Sequence, residues 1–162
     1  MSAPAHIRRA RPHDAFAVAA MAVQIGRERG ASPDPEFIDR FADSWLRAEG
    51  RHPFWLAEVE KRPLGIAGIT LVEQLPSLGG ARRARWAQVH TVFVTPTFRR
   101  CGIGGQLARE VFAWASAEGL THLRGDLTEL GPAAAGIARR LGARPTSEGS
   151  FESVLKVPAT LF

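Results

Sequence analysis

The chain has 162 residues, of which 45% are hydrophobic and 23% charged, and its formal net charge is +5. That length fits one domain, 1–162, with enough apolar side chains for a core. No run of 18 apolar residues is present, so no transmembrane helix is predicted. The single cysteine, Cys101, excludes an internal disulfide and a paired-cysteine zinc site. The first residues lack the apolar core of a signal peptide, so we expect a cytoplasmic protein.

The predicted elements alternate between strands and helices, with no repeat or long linker. In chain order they are a strand at 6–10, helices at 13–29 and 36–48, strands at 54–59, 64–75 and 85–94, a helix at 102–118, a strand at 123–128, a helix at 132–141 and a strand at 151–157. This order predicts an α/β (α+β) fold in which helices flank one sheet.

Apolar spacing predicts the buried faces of three helices. The residues expected to face the core are Phe16, Ala20 and Val23 in the first helix and Leu107, Val111 and Ala115 in the third. In the second helix Phe37, Phe41 and Trp45 recur four apart, a spacing that suits either a core face or an aromatic cage for a cation.

A run of arginines and glycines, FRRCGIGGQL at 98–107, separates a predicted strand from a predicted helix. Glycines let backbone N–H groups approach a ligand closely, and a helix start adds unpaired N–H groups and partial positive charge. Arg99 and Arg100 add full charge and forked donors. These features predict a phosphate-binding turn. A tight strand-to-helix turn with solvated arginines explains the short motif equally well.

Two familiar phosphate motifs do not match this run. The P-loop requires a lysine after its last glycine, and no lysine follows these glycines. The dinucleotide fingerprint requires glycine at position 107, where the chain has Leu107. What remains is the pattern R-x-x-G-x-G, formed by Arg99, Gly102 and Gly104.

The wider run HTVFVTPTFRRCGIGGQLAREVFAWA resembles the central motif of the GNAT superfamily of N-acetyltransferases. That motif has a strand of the form h-x-V-x-P, then an aromatic residue, then R/Q-x-x-G-x-G/A, and then a helix. In this chain residues 92–96 match the strand, Phe98 is the aromatic residue, and residues 99–104 match the glycine pattern. The runs HIRRARPHDAFAVAAM and AGIARRLGARP resemble the family's opening and later segments. The resemblance implies a central mixed, mostly antiparallel sheet of six to seven strands flanked by about four helices, with a V-shaped split between strands 4 and 5.

The resemblance also implies acetyl-CoA, or another acyl-CoA, as donor, and no metal. The residues implied to hold the pyrophosphate, mainly through backbone N–H groups, are Arg99, Arg100, Cys101, Gly102, Ile103, Gly104 and Gly105. Those implied to pair with the pantetheine arm, as an added strand would, are Val92, Phe93 and Val94. The five arginines between 82 and 100, with no acid among them, match a polyanionic cofactor.

Acetyl transfer to an amine needs a base and an oxyanion donor. His90, of ordinary pKa roughly 6.5, is the predicted base, directly or through a water, and shares a face with Gln88 on the strand before its bulge. The alternative for His90 is a strand residue hydrogen-bonded to its surroundings, and Glu73 is a weaker candidate base. The resemblance implies a backbone N–H near Val92 or Phe93 as oxyanion donor.

Several positions depart from the family's pattern. Gln88 stands where some relatives have Glu, Gly131 replaces an Asn, and Ala138 stands where the usual acid is a Tyr, a residue the chain lacks entirely. A thiolate leaves without strong acid help, so a water or the product ammonium would supply the proton. Cys101 lies beside arginines and a helix start, which allows a redox or covalent role. The expected role is a tolerated position at which the backbone N–H matters and the sulfur does not.

The acceptor amine is expected between the first two helices, in the region 27–45. The acids there that would attract an amine are Asp34, Glu36, Asp39 and Asp43. Small amines, amino acids, antibiotics and protein N-termini all remain open. One rival function is a non-catalytic acyl-CoA-binding or sensing module. Another is a basic nucleic-acid binder, which the lack of any recognisable nucleic-acid signature opposes. A homodimer would use the last strands, a prediction that no motif supports.

Overall fold

A computed structural model describes residues 4–32, 34–76, 78–79, 85–147 and 150–155. Within this part the strands are β1 His6–Arg9, β2 Phe54–Val59, β3 Arg62–Glu73, β4 Arg85–Val94, β5 His122–Asp126, β6 Arg144–Ser147 and β7 Ser150–Val154. The helices are α1 Ala15–Glu28, α2 Phe37–Arg47, α3 Ile103–Ala117, α4 Leu127–Leu130 and α5 Pro132–Arg140. No helix of these ranges is both long and apolar enough to span a membrane.

The strands form one sheet in the order β1-β2-β3-β4-β5-β7-β6, which confirms the mixed, mostly antiparallel prediction. The β4–β5 pair is parallel, and the other neighbours are antiparallel. The two parallel strands pair at only three positions, from Ala87 with Leu123 to Val89 with Gly125. Beyond Val89 they separate, which is the predicted V-shaped split.

Helix α3 covers one face of the sheet. Its residues Leu107, Val111 and Ala115 are buried, as predicted, and pack with Ile69 and Leu123 in one core cluster. Burial of side chains of this size is the main stabilising contribution to such a core. The cluster holds α3 rigidly against β4, so the start of α3 has a defined place beside the split.

Helices α1 and α2 lie on the opposite face, where Val18 and Met21 of α1 join Leu56 and Ile66 in a second cluster. The predicted face of α1 was wrong at two of its three residues, because Phe16 is 62% exposed and Ala20 is also exposed, whereas Val23 is buried as predicted. Alanines surround Phe16 on all sides of the helix, so apolar spacing alone gave little contrast between its faces.

The aromatic face of α2 is part of this second core. Phe41 lies with its ring 6.4 Å from Phe54 of β2, and the Trp45 ring lies edge-on to Phe54 at 5.9 Å. The indole nitrogen of Trp45 also donates to the carbonyl of His52 at 2.7 Å. Of the two interpretations of this spacing, the packing supports the core face.

Local backbone chemistry shifts two predicted boundaries. Glu60 and Lys61 both have positive φ, at 50° and 64°, which makes the β2–β3 connection a two-residue turn, so β3 begins at Arg62 and not at the predicted position 64. The predicted strand at 123–128 ends at Asp126, because its carboxylate accepts the N–H of Thr128 at 2.8 Å and starts α4. Neither α4 nor the short β6 was predicted. Residues 77 and 80–84, between the predicted strands at 64–75 and 85–94, and residues 156–157 of the predicted last strand lie outside the described residues.

A buried ion-pair network fixes the start of α1 to the sheet. Arg8 of β1 donates to both carboxylate oxygens of Asp14, at 2.7 and 2.8 Å, and to both of Glu58 on β2, at 2.9 and 3.0 Å. The Arg8 guanidinium, followed by hydrogen bonding from the backbone of Arg11, lowers the pKa of Asp14 to about 2. The network places α1 over β1–β3, so its far end reaches the split.

Candidate active site

Strand β4 contains a β-bulge at His90. Ile69 pairs with Val89 and Gly68 pairs with Thr91, so His90 is an extra residue opposite β3. The bulge places the His90 and Thr91 side chains together, and Nδ1 of His90 lies 2.8 Å from Oγ1 of Thr91. The sequence placed His90 before the bulge; the structure corrects this, because His90 is itself the bulge residue.

Rings from two other segments surround His90. The Phe54 ring lies edge-on at 5.6 Å and the His52 ring at 6.4 Å. Gly68 lies beneath, and a Cβ there would come 2.8 Å from Cε1 of His90. The absence of a side chain at Gly68 therefore makes room for the imidazole.

The surroundings of His90 favour its neutral form. Burial lowers its pKa, hydrogen bonding to the backbone of Ile69 raises it, and the neighbouring His52 lowers it, with a net downward shift. A neutral imidazole at neutral pH can accept a proton. Gln88 points to the same face, since its partner Thr70 hydrogen-bonds Nδ1 of His52 at 2.9 Å.

The end of β4 forms one wall of the split. Val92, Phe93 and Val94 pair with β3 on one side and have no paired residue on β5. An extended ligand with amide groups could therefore lie along this edge, as in strand addition.

The turn after β4 has an unusual backbone. Arg100 has φ 63° and Gly102 has φ 81°, both in the left-handed region. Gly102 precedes α3, so the N–H groups of Ile103, Gly104 and Gly105 have no partner within the helix. Among the described residues, only Arg109 would come within 4 Å of a Cβ on Gly105, at 3.9 Å, which leaves that surface open to the split. Such a turn presents several donors and a helix dipole to an anion.

The side chain of Arg99, which the sequence predicted to bind phosphate, makes hydrogen bonds within the protein. Its Nε donates to the carbonyl of Val94 at 2.8 Å and its Nη2 to Glu28 of α1 at 2.6 Å, while the guanidinium lies over the Phe93 ring. Hydrogen bonding from Arg99 lowers the pKa of Glu28. Two of the three guanidinium nitrogens are thus engaged in joining α1 to β4.

These features surround one cleft of about 1170 Å³. Its walls include His90 and all the residues assigned to the cofactor from sequence except Cys101, namely Val92, Phe93, Val94, Arg99, Arg100, Gly102, Ile103, Gly104 and Gly105. Cys101 is exposed, and its thiol points to the carbonyl of Arg99 at 3.6 Å. Glu73 is exposed at the far end of β3, opposite Arg85, and does not line the cleft.

Sequence reasoning missed much of the opposite wall. Helix α1 contributes Ile25, Glu28 and Arg29, and the α4–α5 region contributes residues between Thr128 and Leu141. Nη2 of Arg29 donates to the carbonyl of Glu129, which joins the two walls. Arg109 and Arg140 also line the cleft. The sequence signal that could have identified Arg109 and Arg140 is a repeated G-x-x-x-R spacing, at 105–109 and 136–140.

Ala138, the position of the family's usual acid, is 6% exposed. It lines a small apolar cavity of about 30 Å³ together with Val92 and Phe151. This position therefore faces the base of the split beside β4, but it carries no group that can donate a proton.

The sequence model of the Acetyltransferase (GNAT) family matches residues 18–143, which is most of the chain. The chain belongs to the GNAT acetyltransferase family. The bulged β4, the glycine turn and the split between β4 and β5 all lie within the GNAT match. No curated protein matches the chain significantly.

Solved structures share the GNAT fold over nearly the whole chain. A predicted acetyltransferase from Clostridium acetobutylicum, solved with acetyl-CoA, has a TM-score of 0.69 and 15% identity over 98% of each chain. A GNAT family acetyltransferase from Brucella melitensis, in complex with acetyl-CoA, has a TM-score of 0.67 and 25% identity, covering 94% of this chain and 88% of that one. An N-acetyltransferase from Staphylococcus aureus Mu50 has a TM-score of 0.72 and 19% identity, covering 95% and 100%.

Proposed function

We propose that this GNAT protein is a cytoplasmic N-acetyltransferase that moves an acetyl group from acetyl-CoA to an amine by direct attack within a ternary complex. The observation that carries the proposal is the position of His90. Its imidazole, neutral and held by a bulge, lines the same cleft as the glycine turn at 99–105. A base and an anion-binding turn in one cleft are what this reaction requires.

The cleft fits a polyanionic nucleotide. Positive φ at Arg100 and Gly102 and the open surface at Gly105 leave room for phosphate oxygens beside the first turn of α3. Five arginines and two glutamates line the cleft, so its charge is net positive. Acetyl-CoA supplies the activated acyl group as a thioester. The edge of β4 at 92–94 would hold the pantetheine amides, and a backbone N–H near Val92 or Phe93 would stabilise the oxyanion.

His90 would take the proton of the acceptor ammonium, directly or through a water, and hold it on the imidazole ring. The contact of Nδ1 with Thr91 and the Phe54 ring fix the orientation of the imidazole. Because burial lowers the pKa of His90, the ring is neutral before the acceptor binds. With Ala138 at the usual acid position, a water or the product ammonium would protonate the leaving thiolate.

A specific observation favours a second candidate, a non-catalytic acyl-CoA-binding or sensing module. Position 138 is a buried alanine facing the split, and Gln88 on the His90 face cannot act as a base. Such a protein would keep the cofactor cleft and lack turnover.

Calorimetric titration with acetyl-CoA, with CoA and ATP as controls, tests the shared part of both candidates. Micromolar binding of acetyl-CoA, clearly tighter than ATP, supports the cleft assignment. Release of CoA in the presence of a panel of amines then separates the enzyme from the module. Salt-sensitive binding to random duplex DNA without acetyl-CoA binding would instead indicate a nucleic-acid partner. The acceptor and a homodimer through the last strands stay predictions.

A further inference from the structure

Arg109 and Arg140, on different helices, each have a side chain that lies along its helix beside a glycine four residues earlier. In α3 the guanidinium of Arg109 lies 3.9 Å from where a Cβ of Gly105 would be. In α5 the guanidinium of Arg140 lies 3.9 Å from where a Cβ of Gly136 would be, and its Nε donates to the carbonyl of Gly136 at 3.2 Å. Side chains four residues apart share a helix face, and a glycine lets the arginine stem lie flat along it.

The two helices meet at the start of α3. A Cβ on Gly104 would lie 3.2 Å from Cδ1 of Ile137, so α5 packs closely against the first turn of α3. Gly105 follows Gly104 in sequence and Gly136 precedes Ile137. The contact therefore places α5 beside the start of α3, and both arginines line the same cleft.

Unlike Arg99, these two arginines have no carboxylate partner among the described residues. Arg99 pairs with Glu28, and Arg29 donates to the carbonyl of Glu129. Within the described residues, neither Arg109 nor Arg140 forms an ion pair, and the hydrogen bond of Arg140 goes to its own helix. Arginine forks that face a cleft without a carboxylate are suited to bind a phosphate.

We propose that Arg109 and Arg140 form a second anion subsite, which holds the 3′-phosphate on the ribose of coenzyme A. This inference rests on the proposed function. The backbone N–H groups at 102–105 suit the bridging pyrophosphate, a diester-type anion. Coenzyme A carries one further phosphate, a monoester with a charge of about −1.5 to −2 at neutral pH. The two arginines supply the charge and forked donors that this group needs.

Calorimetry with CoA and with dephospho-CoA, which lacks only the 3′-phosphate, tests the subsite in the full chain. At low ionic strength we expect CoA to bind about tenfold more tightly than dephospho-CoA. Arg109→Gln and Arg140→Gln should each remove most of this preference while leaving the affinity for dephospho-CoA unchanged. Arg→Lys at either position should retain part of it. Gln and Arg have similar helix propensities, so these exposed changes should not unfold the chain.

Arg139→Gln is the matched control, because Arg139 is an exposed neighbour on α5 that does not line the cleft. It should keep the full preference for CoA. Equal binding of CoA and dephospho-CoA by the parent chain overturns the subsite while the proposed function stands. Variants that weaken both ligands equally also overturn it, since the arginines then act on the pyrophosphate. Failure of either ligand to bind overturns the proposed function and the subsite together.

Discussion

Gly68 and His90 occupy adjacent places on the face of the sheet that carries the proposed base. A Cβ built on Gly68 would lie 2.8 Å from Cε1 of His90 and 2.7 Å from Cδ1 of Phe54, distances that real Cβ atoms essentially never show. The imidazole can lie at the bulge only because β3 has no side chain there. The geometry of the proposed base therefore depends on a residue of the neighbouring strand.

Gly68→Ala should displace the His90 ring. We expect kcat to fall on the order of tenfold, because small displacements of a reacting group are costly. The overpacking should also lower the free energy of unfolding by about 1 to 3 kcal/mol. The KM for acetyl-CoA should change little. Steady-state kinetics and urea denaturation would measure these effects. Gly65→Ala is a comparison on the same strand: it is crowded by Leu107, Ala57 and the carbonyl of Phe93 and should destabilise the fold with a smaller loss of kcat. An equal loss of kcat in both variants would argue against the specific link to His90.

His90→Gln should remove the acidic limb of the pH–rate profile. The pKa of His90 is lowered by burial, so kcat should rise with pH through a value below roughly 6.5 and then level off. In the variant kcat should fall on the order of 10²-fold and lose this dependence. His122→Gln is the matched control, since burial also lowers the pKa of His122 but His122 does not line the cleft. A limb that persists in His90→Gln removes His90 as the base.

Gly105→Val should weaken acetyl-CoA binding without harming the fold. The added side chain would enter the open surface beside the first turn of α3, where Arg109 is the one near neighbour within the described part of the chain. We expect a loss of affinity of tenfold or more. Replacing a helical glycine should leave stability unchanged or raise it by about 0.5 kcal/mol. Calorimetry and thermal denaturation report the two effects separately.

Two further glycine variants calibrate that experiment. Gly105→Ala should give a smaller loss of affinity. Gly26→Ala in α1, whose Cβ would meet only Ala31 at 3.7 Å, should raise stability and leave binding intact. Undiminished binding by Gly105→Val would remove the glycine turn from the cofactor site.

Asp14→Asn should make the free energy of unfolding depend less on pH between about 4 and about 2. The pKa of Asp14 is about 2 in the folded chain, against an ordinary value of 3.8. The unfolded chain therefore binds more protons between these values, and stability falls as the pH drops from about 4 to about 2. At neutral pH the variant should lose about 2 kcal/mol. Denaturant titrations across pH would measure both effects.

Asp43→Asn is the comparison for that change, because Asp43 forms an exposed i,i+4 pair with Arg47 at 3.5 Å. It should cost less than about 0.5 kcal/mol. Equal acid sensitivity of the parent chain and Asp14→Asn would show that the Arg8 network does not control acid stability.

Sequence patterns predicted most of the local structure around the cleft. The spacing of Leu107, Val111 and Ala115 identified the buried face of α3, and the glycines at 102, 104 and 105 identified the turn before it. Helical spacing and glycine conformation depend on a few neighbouring residues, so a short segment of sequence is enough to predict them. The same approach correctly predicted burial of Val23 in α1 but was wrong for Phe16 and Ala20, because Phe16 lies among alanines that offer little contrast.

The tertiary structure alone decided how these parts become a cleft. The bulge at His90 depends on the register between β3 and β4, and a register is selected by packing on both faces of the sheet. Arg99 pairs with Glu28, 71 residues away, and α5, which carries Arg140, packs against the start of α3 through the contact of Ile137 with Gly104. The sequence by itself determined the anion-binding turn and the buried face of α3, since their causes are local. The partners of each charged side chain and the position of the imidazole were decided by contacts between distant segments, whose energies depend on the packing of the whole chain.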